Sequence, residues 1–242
     1  MKKPVVYLAT ALIFVSRLVS VGAQKESVAS AAPAADEKRT EEKHAKPILD
    51  DLQLKDPAKE SKLKEILATH FKALNAWHNQ NDAQIKSLWE EFNSARSQQN
   101  ETNWNAALGK IEAAYASFKP RHEKFLSELS VILTPAQVER VKDVMTVDKV
   151  KVTFHAYGEI FPGLTEEHNA FILKNLKAAR EEAIDAGSMN EKSAFFKKYK
   201  IRIEAYLTAH GFDVKQSYKD FVAKQKAEQE AKKGAAQAAE KK

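Results

Sequence analysis

The sequence predicts an all-α protein, an antiparallel bundle of helices. Three observations lead there. Apolar residues recur at helical spacing along most of the chain, and glycine is scarce, at seven of 242 residues. The third is that Asp, Ser and Thr stand just ahead of the apolar runs, with Pro, Gln or Glu where a first helical turn would place them.

Taken in order, the chain opens with Lys2 and Lys3 before an apolar run, Val5 to Val15, and the small-residue sequence Val21-Gly22-Ala23. This pattern predicts a signal peptide over residues 1–23 and a periplasmic or secreted protein. The alternative is an uncleaved N-terminal anchor, since Leu18, Val19 and Val21 lengthen the apolar stretch past Arg17. No cysteine follows, so no lipoprotein anchor forms, and no second apolar run predicts a transmembrane span. Residues 24–46 are rich in Ala, Ser, Lys and Glu without apolar periodicity, and predict a disordered tether. Residues 47–225 are expected to form a single helical domain, and 226–242 a charged low-complexity tail that frays.

Within the domain, Asp56-Pro57 supplies an N-cap and an N1 proline. Leu63, Ile66, Leu67, His70, Phe71, Leu74 and Trp77 mark the face of the helix that follows. Ile85, Leu88, Trp89 and Phe92 resume that face after Asn79-Gln80-Asn81-Asp82, where the helix bends or runs through. The next apolar stripe runs from Trp104 to Leu129, and Pro120 is expected to kink or restart it. Thr134, Pro135 and Gln137 make an N-cap, an N1 proline and a capping box. Residues 147–161 fit a short helix or an extended linker. Thr165 opens another helix, with Glu166 and Glu167 well placed in its first turn, although His168 at N3 is expected to break the box. Gly187 is expected to stop this helix as C′, and Ser188 with Glu191 to form a capping box for the next. Thr165–Asp185 and Ser188–His210 therefore make a tight helical hairpin. Gly211 stops its second arm, and Asp213 or Ser217 starts a last helix.

The segments VTFHAYGEIFPGLTEEHNAFILK, AREEAIDAGS, EKSAFFKKYKIRIEAYL and HGFDVK, with DPAKESKLKEIL and LTPAQVERVKDVMT upstream, resemble an exported bacterial family, domain of unknown function 3826. The resemblance departs at Phe195, where Trp is expected, and at Ile201, where Gly is expected. It implies no catalytic residues, and it implies a setting in bacteria that degrade plant polysaccharides. LTPAQ alone is similar to the LTxxQ signature of the Spy and CpxP periplasmic chaperone and stress-sensor group, whereas LTEEH lacks the glutamine.

The charge pattern narrows the chemistry. Residues 188–242 hold thirteen Lys and Arg against seven Asp and Glu, a surplus equal to the +6 of the whole chain. An anionic partner is expected to meet this part. On a helix Tyr199, Arg202 and Tyr206 share a stripe with Phe195, and Lys198 lies one turn from Arg202. Lys198, Tyr199, Lys200, Arg202 and Tyr206 are thus candidate contacts for an acidic glycan: cations to grip carboxylate or sulfate, rings to stack on sugar. The plainer alternative makes the rings core and the cations a solvated face. A uronan lyase would need the same residue types, with Tyr199, Lys200 and Arg202 as base and carboxylate-neutralising groups.

An unfolded envelope protein is the other expected partner, and nucleic acid is excluded by the compartment. With zero cysteines there are no disulfides, thiolate metal sites or cysteine nucleophiles. His70, His78, His122, His155, His168 and His210 show no zinc spacing, so no metal is expected, and His70 is expected in the core. No P-loop, GxSxG elbow or dinucleotide fingerprint occurs, and no cofactor is expected.

Overall fold

The computed structural model describes residues 33–239, and the side-chain surroundings of residues 42–231. The expected signal peptide and residues 24–32 of the expected tether lie outside the described residues. Among those described the protein is all-α: α1 (Pro33–Leu52), α2 (Pro57–Ser97), α3 (Glu101–Ala116), α4 (Lys119–Ile132), α5 (Pro135–Met145), α6 (Lys149–Ile160), α7 (Glu166–Ala183), α8 (Met189–Ala209) and α9 (Val214–Ala239).

The first correction concerns the tether. Residues 33–46 are helical rather than disordered. Ala45 and Ile48, one turn apart, are both buried, and the His44 ring lies 5.3 Å from that of Phe71. Two buried residues are too few to register as periodicity, yet they anchor the turn, and Lys46 pairs with Asp50 at 2.7 Å along its exposed side. At the other end α9 continues helical to Ala239, because Ala, Lys, Glu and Gln are strong helix formers even without a face to bury.

By its internal contacts the described part of the chain divides into two compact units. Among the described residues one comprises 33–45 and 67–125, the other 46–66 and 126–239. The chain passes from one to the other inside α1, α2 and α4, so the apolar pattern carries no break at the boundary.

In the first unit α2 runs through Asn79–Asp82 without interruption, and Asn81 donates to the Trp77 carbonyl at 2.7 Å. Ile85, Phe92, Ala107, Ile111, Phe118 and Phe125 fill its core. His70 is buried there with its ring stacked on Phe125, centroids 3.8 Å apart. The Trp77 indole N–H donates to Ser117 Oγ at 2.9 Å. Near Pro120 the helix restarts: α3 ends at Ala116 and α4 begins at Lys119.

The second unit is set by its caps. Asp56 Oδ1 accepts from the N–H groups of Ala58 and Lys59. Thr134 and Gln137 form the full reciprocal box. So do Thr165 and His168, a correction to the expected break: His168 Nδ1 accepts from the Thr165 N–H at 3.1 Å, doing the work of a Glu carboxylate. Ser188 accepts from the Glu191 N–H at 3.2 Å, but Glu191 reaches back to the Gly187 N–H at 2.9 Å instead of Ser188. Gly187 is therefore not the left-handed stop that was expected, since positive φ among the described glycines occurs at Gly163 and Gly211. Its N–H is satisfied by Glu191, and α7 has already ended at Ala183.

Gly211, at φ +90°, terminates α8, with the Phe212 N–H donating to the Leu207 carbonyl. Asp213 Oδ1 then caps α9 by accepting from the Gln216 N–H. Residues 149–160 are helix rather than linker.

The α7–α8 hairpin carries the core of this unit, with Ile172, Leu176, Ala179 and Ile184 facing Phe195, Phe196, Ile203 and Leu207. Each of the larger side chains contributes about 1.5–3 kcal/mol by leaving water. Phe161 closes one end against Phe212 and Tyr218, both rings nearly perpendicular to it.

Candidate functional site

The five candidate contacts on α8 do not form one surface. They separate into three groups, because an α-helix sends successive residues about 100° apart.

Lys198 and Tyr199 turn back to α7. The Lys198 ammonium lies 2.8 and 3.0 Å from the two oxygens of Glu182, and the Tyr199 hydroxyl donates to Glu182 Oε1 at 2.5 Å. Tyr199 is buried and the Lys198 side chain is only 9% exposed, so Glu182 already occupies both. Arg202 is exposed, its guanidinium carbon 5.3 Å from the Tyr199 ring centroid. That arrangement leaves one cation of the group facing solvent on an aromatic base. Tyr206 belongs elsewhere: its ring stacks on Phe171 at 3.8 Å and lies 4.0 Å from His210.

Lys200 points to the opposite flank, toward α6 and α9. It is half-buried, with its ammonium 5.8 Å from the Tyr218 ring centroid. Lys149, the first residue of α6, is also half-buried, and its ammonium lies 5.9 Å from the Phe196 ring centroid. Phe196 and Lys200 are one turn apart on α8, so the two ammonium groups share a face. Burial, and then the Lys200 charge, lower the Lys149 pKa. Burial lowers that of Lys200 too, against the opposing pull of Glu204.

Glu204 accepts from the Tyr218 hydroxyl at 2.7 Å. Burial, and then Glu204, push the Tyr218 phenol far above its ordinary pKa. Tyr157, almost wholly buried, is raised as well by burial and then by Tyr218 and Glu204. Lys149, Phe196, Glu204 and Tyr218 were not foreseen as members of this cluster. Nothing local marks them, since the cluster exists only once three separate helices meet.

Asp148 precedes Lys149 and is the N-cap of α6, yet it makes no side-chain capping bond. Its carboxylate is taken by Arg140, which also grips Asp51 with Nε and Nη2 at 2.7 and 2.6 Å. Val147 and Asp148 both lie in the left-handed region, at φ 55° and 53°. For a β-branched valine this is a strained conformation, costing on the order of 1–3 kcal/mol.

Two other charged features lie in the same unit. Arg180, 2% exposed, bonds Asp143 at 2.6 Å and also pairs with Glu139 and Glu181, while Lys142 lies 3.2 Å from Glu139 and 3.0 Å from Glu181. Lys192 donates to the Ala183 carbonyl at 3.2 Å, and burial lowers its pKa to about 8 despite the charges of Asp185 and Glu191. At the α4–α5 junction a cavity of about 240 Å³ is lined by Ser130, Leu133, Pro135, Val138 and Glu139. Val131, next in sequence to Ser130, is 83% exposed. No helix among the described residues is long and apolar enough to cross a membrane.

Comparison with curated proteins finds no match to this chain. The profile of the family described as "Protein of unknown function (DUF3826)" matches residues 38–227, from within α1 to the middle of α9, and the chain belongs to that family.

Proposed function

We propose that this is an exported, non-catalytic protein that binds acidic polysaccharide on the outward faces of α8 and α9. The observation that carries the reading is where the positive charge ends up. Over residues 188–231 nine Lys and Arg meet six Asp and Glu, and exposed Arg202, Lys215, Lys219, Lys224 and Lys226 stand among exposed Asp213, Asp220, Glu228 and Glu230, with half-buried Lys200 among rings at their edge. Rows of exposed cations attract a polyanion over a Debye length and give binding that weakens with salt.

The tyrosines argue against a lyase. Removing a proton beside a uronate carboxylate calls for a base poised near neutral pH, and Tyr157 and Tyr218 are both held protonated by burial. Tyr199 gives its proton to a hydrogen bond with Glu182.

Isothermal titration with polygalacturonate at low salt tests the proposal. Heat is expected with this polymer and none with a neutral glucan, and Arg202→Ala together with Lys219→Ala should weaken binding. Absence of heat with any acidic polymer at low salt ends the reading.

A second reading has its own observation. The cavity at α4–α5 takes Leu133 and Pro135 of the LTPAQ segment in its lining, and exposed Val131, next in sequence to lining residue Ser130, adds an apolar side chain suited to an unfolded client. Suppression of client aggregation at stoichiometric ratio, lost in Val131→Asp, is the result it predicts.

A further inference from the structure

We infer that the end of the α7–α8 hairpin forms a sugar-ring site, with the His210 ring as its floor and the His168 ring as its wall, which takes one pyranose of a bound glycan by its C–H face and hydroxyl groups. This deepens the acidic-polysaccharide reading and rests on it. The exposed cations of α8 and α9 act on the charges of the polymer, whereas this corner holds one of its rings.

His210, the C-cap of α8, is exposed, yet its ring is held in place. Its Nδ1 donates to the Tyr206 carbonyl one turn back, at 2.8 Å. The ring packs on that of Tyr206, centroids 4.0 Å apart, and Tyr206 in turn stacks on Phe171 at 3.8 Å. A surface ring fixed in advance spares a ligand the entropy of ordering it. His168 stands at 78° to His210 with centroids 5.5 Å apart, and Phe212 lies 5.3 Å from His168. The His168 ring is fixed too, by the capping-box bond from the Thr165 N–H.

The same two bonds set the tautomers. A carbonyl oxygen only accepts, so His210 uses its Nδ1 proton there, and Nε2 of the neutral ring is left as an acceptor. A backbone N–H only donates, so His168 Nδ1 accepts and the neutral ring carries its proton on Nε2 as a donor. A donor, an acceptor and an aromatic face in one corner match a pyranose, which has hydroxyls around its edge and C–H groups on its face. A metal ion fits less well, because His168 could offer Nε2 as a ligand only by moving its proton to Nδ1 and breaking the capping box. A carboxylate fits less well too, with exposed Glu166 and Glu167 just before His168 and exposed Asp213 just after Phe212. Packing accounts for half-buried Phe171 and Tyr206, and the oriented His210 ring at the solvent edge is what it leaves over.

The test uses the full chain and two probes at constant pH. Oligogalacturonate titration reads affinity: His210→Ala is expected to weaken it about threefold or more, the loss of one ring contact, and His210→Phe, which keeps a ring, to weaken it less. The loss in His210→Ala should persist at raised salt, where that in Arg202→Ala fades. Galactose, which carries no charge, is the second probe. Of the seven histidines, only His168 and His210 should shift their ring-proton NMR signals on its addition, the two being assigned by their absence from His168→Gln and His210→Ala. Circular dichroism confirms that each variant is folded.

The site and the broader reading fail separately. If oligogalacturonate binds wild type and His210→Ala alike, the sugar-ring site is wrong and the polysaccharide reading stands. If no acidic polymer binds but galactose shifts His168 and His210, the site stands with an uncharged sugar as its occupant, and the reading falls. If no acidic polymer binds and galactose shifts neither histidine, both fall.

Discussion

Two charged clusters in the same unit are built on opposite plans. Around Arg180 the carboxylates outnumber the cations: Glu139, Asp143 and Glu181 face Arg180 and Lys142, at distances down to 2.5 Å. Around Lys149 and Lys200 aromatic rings enter instead, Phe196 beside one ammonium and Tyr218 beside the other, with Glu204 acting on Lys200. The first cluster satisfies itself and ties α5 to α7. The second sets its two lysines over aromatic rings, where burial lowers both of their pKa values.

The contrast can be broken most severely at Arg180. Arg180→Ala strands the Glu139 and Asp143 carboxylates and should cost about 3 kcal/mol in denaturant unfolding, near the low end because both acids are partly in water. The same network predicts acid sensitivity. Burial alone would raise the Glu139 pKa, but hydrogen bonds from Arg180 and Lys142 outweigh it and hold the pKa below 4.5. A depressed carboxyl pKa gives stability that is complete above the unfolded value and lost as pH falls through the folded one. Arg180→Ala should therefore flatten the acid limb of the stability curve.

Lys192 sharpens the comparison from the basic side. Its folded pKa, about 8, lies below the ordinary 10.5, so between those values the unfolded chain binds more protons. Stability should rise with pH across that window, by up to roughly 3 kcal/mol. Lys192→Met should be the more stable form at pH 7 and lose that advantage by pH 10.5, as measured by urea unfolding. A smaller loss, about 1.5 kcal/mol, is expected for Tyr199→Phe, which removes a hydrogen bond to the Glu182 carboxylate. Smallest of all, Lys149→Gln should leave stability unchanged or raise it by a few tenths of a kcal/mol, since it removes a repulsion with Lys200. A clear loss there would mean that Lys149 belongs to the self-satisfied kind of cluster.

What the sequence made legible was local. Thr134 with Gln137, Asp56 with Pro57 and Gly211 act within four residues of one another or of the helix they bound, and composition at those positions is enough to foresee them. His168 was misjudged because its neutral ring nitrogen accepts a hydrogen bond as Glu would, a property the box signature does not encode. The α1 helix was missed because Ala45 and Ile48 are its buried anchors in an otherwise polar run.

The candidate site was less legible still. The KKYKIR segment puts cations on α8, but the sequence gives no sign that Glu182 in the preceding helix engages Lys198 and Tyr199 together. Nor does it reveal that Lys149, from a helix two elements earlier, comes to share a face with Lys200. Such pairings depend on how the helices are rotated about their axes, which periodicity constrains only to within a face.

Glu182 has one more consequence. A single carboxylate masks a lysine and a tyrosine at once, so the hairpin shows solvent a quieter surface than its composition implies. Replacing it with glutamine would remove that counter-charge from Lys198 and make the patch around Arg202 more positive. Under the acidic-polysaccharide proposal, affinity would thus be adjustable through a residue on the neighbouring helix.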